Sequence, residues 1–302
     1  MRSIINAVKY ALILSLTLLP TSSKAAAIGE WTYYFSYQDA THCIPVGNSI
    51  YALYAGNLLV YDTEDNSVIT PTKLDGLSEK NISLMRYCEA QQKTVMVYSN
   101  GNIDLLHKKG SIENLPQYKN KYVGTQLNDL TVVGSQAFLA TSEGIVHLNL
   151  ANAEITGFYT LDEPIFSATT CEDFLYATTA SGVYRCNLEQ NPLDHANWSV
   201  CSSLVARQLI TQSGHLYLRT ENKGVYVLEP GGTNPRQLIA QSQTYYFADP
   251  SGILFGNTKS YTEISAQSPV QVKPSVTLPA TTTYLCRAKD GTLWSAQGFE
   301  GV

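Results

Sequence analysis

Histidine and cysteine are the side chains most able to bind a metal ion or act as nucleophiles, and this chain scatters both. The histidines show neither His-x-x-x-His spacing nor a neighbouring glutamate; they are His42, His107, His147, His195 and His215. The cysteines include no Cys-x-x-Cys pair; they are Cys43, Cys88, Cys171, Cys186, Cys201 and Cys286. These spacings predict no metal site, and we interpret the cysteines as buried thiols within strands. Cys186 and Cys201 are the pair to test for a disulfide, because they fall on successive strands of one predicted repeat.

Other candidate sites are also better explained by turns and linkers. Residues 62–66 have the acidic character of a calcium loop but lack its glycine and distal glutamate, so a polar turn is predicted. Residues 231–235 are Gly-rich but have no lysine or following helix to bind phosphate. Asp162 and Glu163, beside Pro164, mark a linker, and no Gly-x-Ser-x-Gly motif occurs. We therefore predict no catalytic, cofactor-binding or metal-binding residues and no enzyme activity, and the sequence assigns no binding residue.

Two aromatic runs occur, Tyr33-Tyr34-Phe35 and Tyr245-Tyr246-Phe247. Neighbouring residues on a strand point to opposite faces, so not all of these rings can fill one sheet interface. Exposed tyrosines are common at protein and sugar contacts. Packing between adjacent sheets is the interpretation that we favour for both runs.

The N-terminus has the features of a secretory signal peptide. Arg2 and Lys9 precede the apolar run 11–19, and small residues follow up to Ala27. The apolar run is too short for a spanning helix, which needs about 20 residues. We expect a signal peptide at residues 1–27 and a mature domain at 28–302, exported to the periplasm or the cell surface. Its removal changes the net charge from −5 to −8, which makes nucleic acid an unexpected partner.

A hairpin unit repeats along the mature chain. Residues 50–62 contain two β-prone runs around Gly56-Asn57, and further turn glycines follow at Gly101, Gly144, Gly182 and Gly224. A repeat of about 40 residues with several strands is typical of β-propeller blades. The fold class predicted is all-β: a seven-bladed propeller with six full blades and an incomplete seventh at 283–302. We expect residues 31–37 to close the seventh blade, and the interrupted repeat suggests a chain truncated within a longer product.

Two motifs carry a family resemblance. Residues 75–78, Asp-Gly-Leu-Ser, and 290–294, Asp-Gly-Thr-Leu-Trp, resemble the repeats of two-component-regulator propellers. Together with residues 31–37 and 98–106, they make the mature chain resemble the N-terminal β-propeller of PorZ-like proteins of the type IX secretion system of Bacteroidota. The resemblance implies a non-enzymatic surface or outer-membrane module. Its implied partners are a sortase-like protein and an outer-membrane carrier, with which it helps attach cargo to anionic lipopolysaccharide.

Two alternatives remain open. One is the periplasmic, oligosaccharide-sensing propeller of a hybrid two-component regulator, which shares the same two motifs. The other is a propeller glycosidase or lyase, which would turn over a polysaccharide.

Overall fold

The computed structural model describes residues 39–121, 124–266 and 270–297, which all belong to one compact unit. These residues form six antiparallel sheets, each built from four strands that follow one another in the chain and lie side by side in the same order. A seventh sheet, of two strands, follows them in the chain. This arrangement is a β-propeller, as the hairpin repeat predicts.

The strand bounds are as follows. Blade 1 contains β1 (Ala40–Val46), β2 (Ser49–Tyr54), β3 (Asn57–Asp62) and β4 (Val68–Ile69). Blade 2 contains β5 (Ile82–Cys88), β6 (Lys93–Tyr98), β7 (Ile103–His107) and β8 (Ile112–Leu115). Blade 3 contains β9 (Leu127–Val133), β10 (Gln136–Thr141), β11 (Ile145–Asn149) and β12 (Glu154–Tyr159). Blade 4 contains β13 (Ser167–Cys171), β14 (Phe174–Thr179), β15 (Gly182–Asn187) and β16 (Trp198–Ser202).

The remaining elements complete the described fold. Blade 5 contains β17 (Gln208–Gln212), β18 (His215–Arg219), β19 (Val225–Leu228) and β20 (Arg236–Ile239). Blade 6 contains β21 (Tyr245–Asp249), β22 (Gly252–Gly256), β23 (Ser260–Ser265) and β24 (Val276–Thr277). The two-stranded sheet contains β25 (Tyr284–Arg287) and β26 (Leu293–Ala296). Short 3-10 turns lie at Lys73–Asp75, Glu89–Gln91, Pro116–Tyr118 and His195–Asn197.

The first hairpin shows how local sequence specifies a blade. Tyr54 pairs with Asn57, so the turn consists of Ala55 and Gly56, both with positive φ (46° and 77°). This is the backbone pattern of a primed two-residue turn. The turn predicted at Gly56-Asn57 is therefore shifted by one residue. Asn57 is the first residue of β3, and its side-chain amide donates to the backbone oxygens of Tyr54 (3.3 Å) and Ala55 (3.4 Å).

The core is divided among the interfaces between neighbouring blades. Five apolar clusters each join two consecutive blades, from blades 1 and 2 through blades 5 and 6. A sixth cluster, here the closing cluster, joins blade 6, the two-stranded sheet and blade 1; it contains Ala40, Cys43, Ile50, Ala52, Tyr54, Tyr245, Phe247, Leu254, Tyr284, Leu285, Cys286 and Ala296. The two-stranded sheet therefore lies between blades 6 and 1, and the ring of interfaces is continuous.

The Asp-Gly-Leu-Ser motif links blade 1 to blade 2. Gly76 adopts φ 106° and ends a short 3-10 turn, and Leu77 is buried between the two blades. The Ser78 hydroxyl and backbone N–H then donate to the carboxylate of Asp104 (2.7 and 2.9 Å). The Tyr98 hydroxyl donates to the same buried carboxylate (2.7 Å). Charge-assisted hydrogen bonds of this kind fix the linker on β7.

The structure corrects the number of blades. The described residues form six four-stranded blades and not seven, and the seventh position holds only the sheet of β25 and β26. Residues 298–302, predicted to begin its third strand, and residues 31–37, predicted to supply its outer strand, lie outside the described residues. The predicted closure by residues 31–37 stays a prediction.

The outer strand of blade 6 also differs from the prediction. The β-prone run at residues 270–273 predicts this strand from the sequence, but the paired strand is Val276–Thr277, which pairs with Ser260 and Tyr261. Within the predicted range, Val272 makes only an isolated bridge to Ile264. Pro274 has no N–H to donate and interrupts the ladder between the two segments.

The predicted signal peptide at 1–27 lies outside the described residues. Among the residues that are described, no helix is long and apolar enough to cross a membrane.

Candidate functional site

The first strands of the blades surround the propeller axis and enclose a cavity of about 590 Å³. β1, β5, β9, β13, β17, β21 and β25 all contribute lining residues. The remaining lining comes from the turns that connect first and second strands, including Gly47, Glu89, Ser251 and Lys289. The cavity therefore opens on the face of the propeller where these turns lie. A cavity of this size is in the range of small-ligand sites.

Arg86, Tyr246 and Tyr284 line the cavity and belong to a polar cluster, here the axial cluster, that also contains His42, Asp129 and Ser167. Arg86 is its centre, with 16% of its side chain exposed. One guanidinium nitrogen, Nη1, lies 2.9 Å from Nε2 of His42 and donates to the backbone oxygen of Met85 (3.0 Å). The other, Nη2, lies 3.7 Å from the Asp129 carboxylate. These contacts connect blades 1, 2 and 3 across the axis.

Tyrosines complete the axial cluster. The Arg86 guanidinium lies 5.4 Å from the centre of the Tyr246 ring, which is a cation–π distance. The Tyr284 ring lies 3.8 Å from the imidazole of His42, and the Tyr284 hydroxyl donates to the backbone oxygen of Tyr246 (2.6 Å). The two-stranded sheet and blade 6 therefore contribute aromatic side chains to the cluster around the Arg86 guanidinium of blade 2.

Burial sets the protonation of the axial cluster. Burial, and then the charge of Arg86, lower the pKa of His42 well below its ordinary value. His42 is therefore neutral near pH 7, and its Nε2 accepts the hydrogen bond of Arg86. Burial raises the pKa of Asp129, whereas the Arg86 charge and the hydrogen bond from Ser167 (2.6 Å) oppose that rise. The Arg86 guanidinium stays protonated throughout the pH range in which histidine and aspartate titrate.

The rim of the cavity carries ion pairs. Arg287 donates to the carboxylates of Asp249 (3.2 Å) and Glu263 (2.8 Å), and Lys273 pairs with Glu263 (2.8 Å). Lys289 is exposed on the turn between β25 and β26 and lines the mouth. The mouth therefore presents a mobile ammonium group beside a guanidinium that acidic neighbours hold in place.

The Tyr87 hydroxyl is a further feature of the lining. It is buried and has no hydrogen-bond partner among the residues that the structure describes. Burial, and then the Glu89 carboxylate, raise the pKa of Tyr87 to about 12. The Tyr87 ring packs against the apolar cluster between blades 1 and 2, and the residue also lines the cavity. A concave site lined by Arg86, Tyr246 and Tyr284 suits the binding of a polar, ring-containing ligand.

The five histidines are placed far apart. His42 lies on the axis, and His147 stacks on Phe138 (4.7 Å) and lies 3.0 Å from the Tyr159 hydroxyl. The other three approach carboxylates: His107 with Glu113, His195 with Asp162 and His215 with Glu229. Within the described ranges, no three histidine, cysteine or acidic side chains form a group that could hold a metal ion.

All six cysteines are buried free thiols, in agreement with their interpretation as core residues. Cys186 and Cys201 do not form the disulfide considered from the sequence. Cys186 packs between blades 3 and 4, whereas Cys201 packs between blades 4 and 5. Their side chains therefore lie on opposite faces of the same sheet, because alternate strand positions point in opposite directions.

The remaining sequence candidates occupy turns and interfaces. Of residues 62–66, Asp62 ends β3 and residues 63–66 lie in the turn before β4, whereas residues 231–235 lie between β19 and β20. The neighbours Asp162 and Glu163 have different partners, since Glu163 accepts from Ser181 (2.6 Å). The run 245–247 is buried, as expected, with Tyr245 and Phe247 in the closing cluster and Tyr246 facing blade 5. Residues 33–35 lie outside the described residues.

The axial cluster and the cavity above it were not predicted from the sequence. A usable signal was present, because Arg86 is the one charged residue of β5 and Asp129 is the one charged residue of β9. A charge at such a position must find partners across the axis, since burial without a partner is costly. The sequence did not indicate that Tyr246 and Tyr284 would be among those partners.

Comparison with known proteins supports the fold and gives it a relative. Residues 50–199 match the family model described as the N-terminal β-propeller domain of PorZ of the type IX secretion system. The solved structure of PorZ from Porphyromonas gingivalis is similar, with a TM-score of 0.78 and 20% sequence identity. That match covers 90% of this chain but 37% of the PorZ chain, so the chain spans little more than a third of the length of that protein.

Other propellers show the same fold at lower identity. The WD40 propeller domain of Doa1 has a TM-score of 0.64 and 10% identity, with 89% of this chain and 92% of that chain covered. A chain of the mitotic checkpoint complex has a TM-score of 0.62 and 11% identity, with 90% and 96% covered. No curated protein matches the chain.

Proposed function

Because the chain is a PorZ-like β-propeller, we propose that it is a non-enzymatic interaction module of a type IX secretion attachment complex. The observation that carries this proposal is the match of residues 50–199 to the PorZ propeller family. The relative from Porphyromonas gingivalis is described as an essential bacterial surface component of that system. Propellers of this kind are typically binding scaffolds, and the axial cavity is a concave site on such a scaffold.

The proposal includes export. Residues 1–27 act as a signal peptide, and residues 28–302 form the propeller domain in the periplasm or at the cell surface, associated with the outer membrane. Charges ahead of a short apolar run and small residues at the cleavage site support this step. The proposed protein partners are the sortase-like component and the outer-membrane carrier of the attachment complex.

The proposed ligand is the glycan of anionic lipopolysaccharide, to which the complex attaches cargo. Arg86 at the floor and Lys289 at the mouth supply positive charge. Acidic side chains at the rim, Glu89 and Asp249, partly offset that charge. We therefore expect moderate binding that weakens as salt concentration rises.

Binding of the full chain to immobilised lipopolysaccharide tests the proposal. We expect anionic lipopolysaccharide to bind and lipopolysaccharide without the anionic polysaccharide not to bind. Lys289→Gln should weaken binding about threefold, the scale of one exposed charge contact. Lys259→Gln is the matched control, because Lys259 is also exposed but does not line the cavity. Equal binding of both lipopolysaccharides would contradict the glycan assignment.

An oligosaccharide sensor of a hybrid two-component regulator is the second candidate. The tyrosine-lined floor favours it, because stacking on aromatic rings suits neutral sugars. Salt-independent binding of neutral oligosaccharides, without retention of the secretion partners from detergent-solubilised outer membranes, would support the sensor and contradict the secretion module.

A further inference from the structure

Two cysteines from nearly opposite ends of the described chain meet in the closing cluster. Cys43 lies on β1 of blade 1, and Cys286 lies on β25 of the two-stranded sheet. Both residues are fully buried in the same apolar cluster. Their proximity therefore results from closure of the ring and not from local sequence.

Several contacts align the two strands. The Thr283 hydroxyl donates to the backbone oxygen of Ala40 (2.8 Å), and these residues stand three positions before Cys286 and Cys43. The Cys43 thiol donates to the backbone oxygen of Trp294 (3.7 Å), the residue that pairs directly with Cys286 across β25 and β26. The neighbouring Cys43 thiol, and then burial, raise the pKa of the Cys286 thiol. The two cysteine side chains therefore lie side by side in the closing cluster.

The other four cysteines provide an internal contrast. Cys88 packs between blades 2 and 3, Cys186 between blades 3 and 4, and Cys171 and Cys201 between blades 4 and 5. The Cys88 thiol donates to the backbone oxygen of Gly134 (3.2 Å) and that of Cys201 to Val183 (3.4 Å). Cys43 and Cys286 are the two that bring different ends of the ring together.

We propose that Cys43 and Cys286, which are free thiols in this structure, form a disulfide bond under oxidising conditions that closes the propeller ring covalently. The bond would join blade 1 to the last sheet, at the interface that has the longest separation in sequence. A disulfide that closes a long loop restricts the unfolded chain more than one that closes a short loop. The inference concerns the chain itself and holds whichever ligand the cavity binds.

The oxidant is a second disulfide, such as glutathione disulfide or the disulfide of an oxidoreductase. One cysteine thiolate attacks it, which forms a mixed disulfide and releases one thiol of the oxidant. The second cysteine then attacks the first, and the sulfur–sulfur bond forms as the second thiol of the oxidant leaves. Two cysteine thiols are oxidised and one disulfide is reduced to two thiols. The first step takes place while the ring is open, since both thiols are inaccessible once it has closed, and the second step follows as closure brings the two cysteines together.

Thiol counting after refolding tests the proposal without any binding partner. The full chain is reduced, denatured, refolded in a mixture of reduced and oxidised glutathione, and then alkylated under denaturing conditions. We expect four alkylated cysteines by mass before reduction and six after it, with a cross-linked peptide pair containing Cys43 and Cys286. We also expect the thermal midpoint of the oxidised protein to fall by about 5 °C when reductant is added.

Two variants serve as controls. Cys43→Ala should raise the count to five alkylated thiols and abolish the effect of reductant, whereas Cys186→Ala should leave three and keep the effect. Six alkylated thiols in the refolded wild-type chain would overturn the proposal, and so would a cross-link between any other pair. Neither result depends on a variant that folds poorly, and neither bears on lipopolysaccharide binding.

Discussion

Arg86 places a permanent positive charge at the floor of the cavity, and three of its neighbours each stabilise that charge in a different way. His42 accepts a hydrogen bond, Asp129 supplies negative charge, and the Tyr246 ring supplies its π face. Each acceptor comes from a different blade, so the charge is held only when the ring is assembled. This explains why a histidine at this position is neutral: a protonated imidazole could not accept from Arg86 and would repel it.

The acid sensitivity of folding should report on His42. Its pKa is lowered on folding, so the unfolded chain binds a proton below about pH 6.5 that the folded chain does not. The free energy of unfolding should therefore decrease as the pH falls from about 6.5 towards 5, by up to about 1.4 kcal/mol per pH unit. We expect His42→Gln, whose amide oxygen can still accept from Arg86, to lose this contribution. Urea unfolding at pH 7.5, 6.5 and 5.5 measures it.

Comparing the wild type with His42→Gln isolates the contribution of His42 to the pH dependence of stability. Asp129 has a raised pKa and contributes with the opposite sign, stabilising the fold at low pH and losing that effect as the pH rises through the folded pKa. It is present in both proteins, so the difference between them belongs to His42. Parallel dependences on pH for the wild type and His42→Gln would show that His42 titrates normally in the folded chain.

At the scale of the element, the hairpin between the second and third strands is the unit that is repeated. Its turn glycine in blade 5, Gly224, has φ 78°, and a Cβ there would lie 1.9 Å from the backbone oxygen of Ile239. The outer strand β20 therefore approaches the hairpin so closely that only a hydrogen fits. The glycine serves two purposes at once, because it permits the turn and also allows the fourth strand to pack.

Two glycine variants separate these purposes. Gly110, in the turn before β8, has φ 95° and open space around the missing Cβ. Gly110→Ala should cost about 1 kcal/mol, the price of a left-handed backbone for a residue with a Cβ. Gly224→Ala adds a clash with backbone and should cost about 3 kcal/mol or more. Denaturant unfolding of both variants measures the difference, and equal losses would mean that β20 moves aside at little cost.

The hairpin repeat was predictable because its signals are local. Turn glycines and β-prone runs lie within a dozen residues of each other, and they indicated the propeller class and blades 1 to 5 closely. The outer strand of blade 6 was misplaced because Pro274 moves the pairing from Val272 to Val276. The axial cluster was missed because its members lie one or more blades apart, and period and composition carry no information about such contacts.

At the scale of the whole molecule, the two-stranded sheet is the smallest sheet among the described residues. β25 and β26 pair only with each other in the described residues, whereas every other blade has four strands. Side-chain contacts hold this sheet in the ring, among them the bond from the Tyr284 hydroxyl to the Tyr246 backbone. We therefore expect this interface to open before the other blades separate.

Hydrogen exchange should detect this opening. In the reduced protein, the amides of β25 should exchange faster than those of β6 in blade 2, which lies between two strands of a full sheet. Tyr284→Phe removes a buried hydrogen bond worth about 1 kcal/mol and should accelerate exchange in β25 roughly fivefold to tenfold without changing β6. Mass spectrometry of exchanged peptides measures both strands. Equal acceleration in β6 would indicate that the molecule opens as a whole.

The position of the last sheet also has a consequence for biosynthesis. A chain made or translocated from its N-terminus produces Ala40, Ile50 and Tyr54 of blade 1 long before Tyr284 and Leu285, which cover them. Until then, that apolar face of blade 1 is open to solvent, although blades 2 to 5 have the neighbours that they need. The nascent protein is therefore most prone to aggregation at its oldest end, and its maturation waits for its newest.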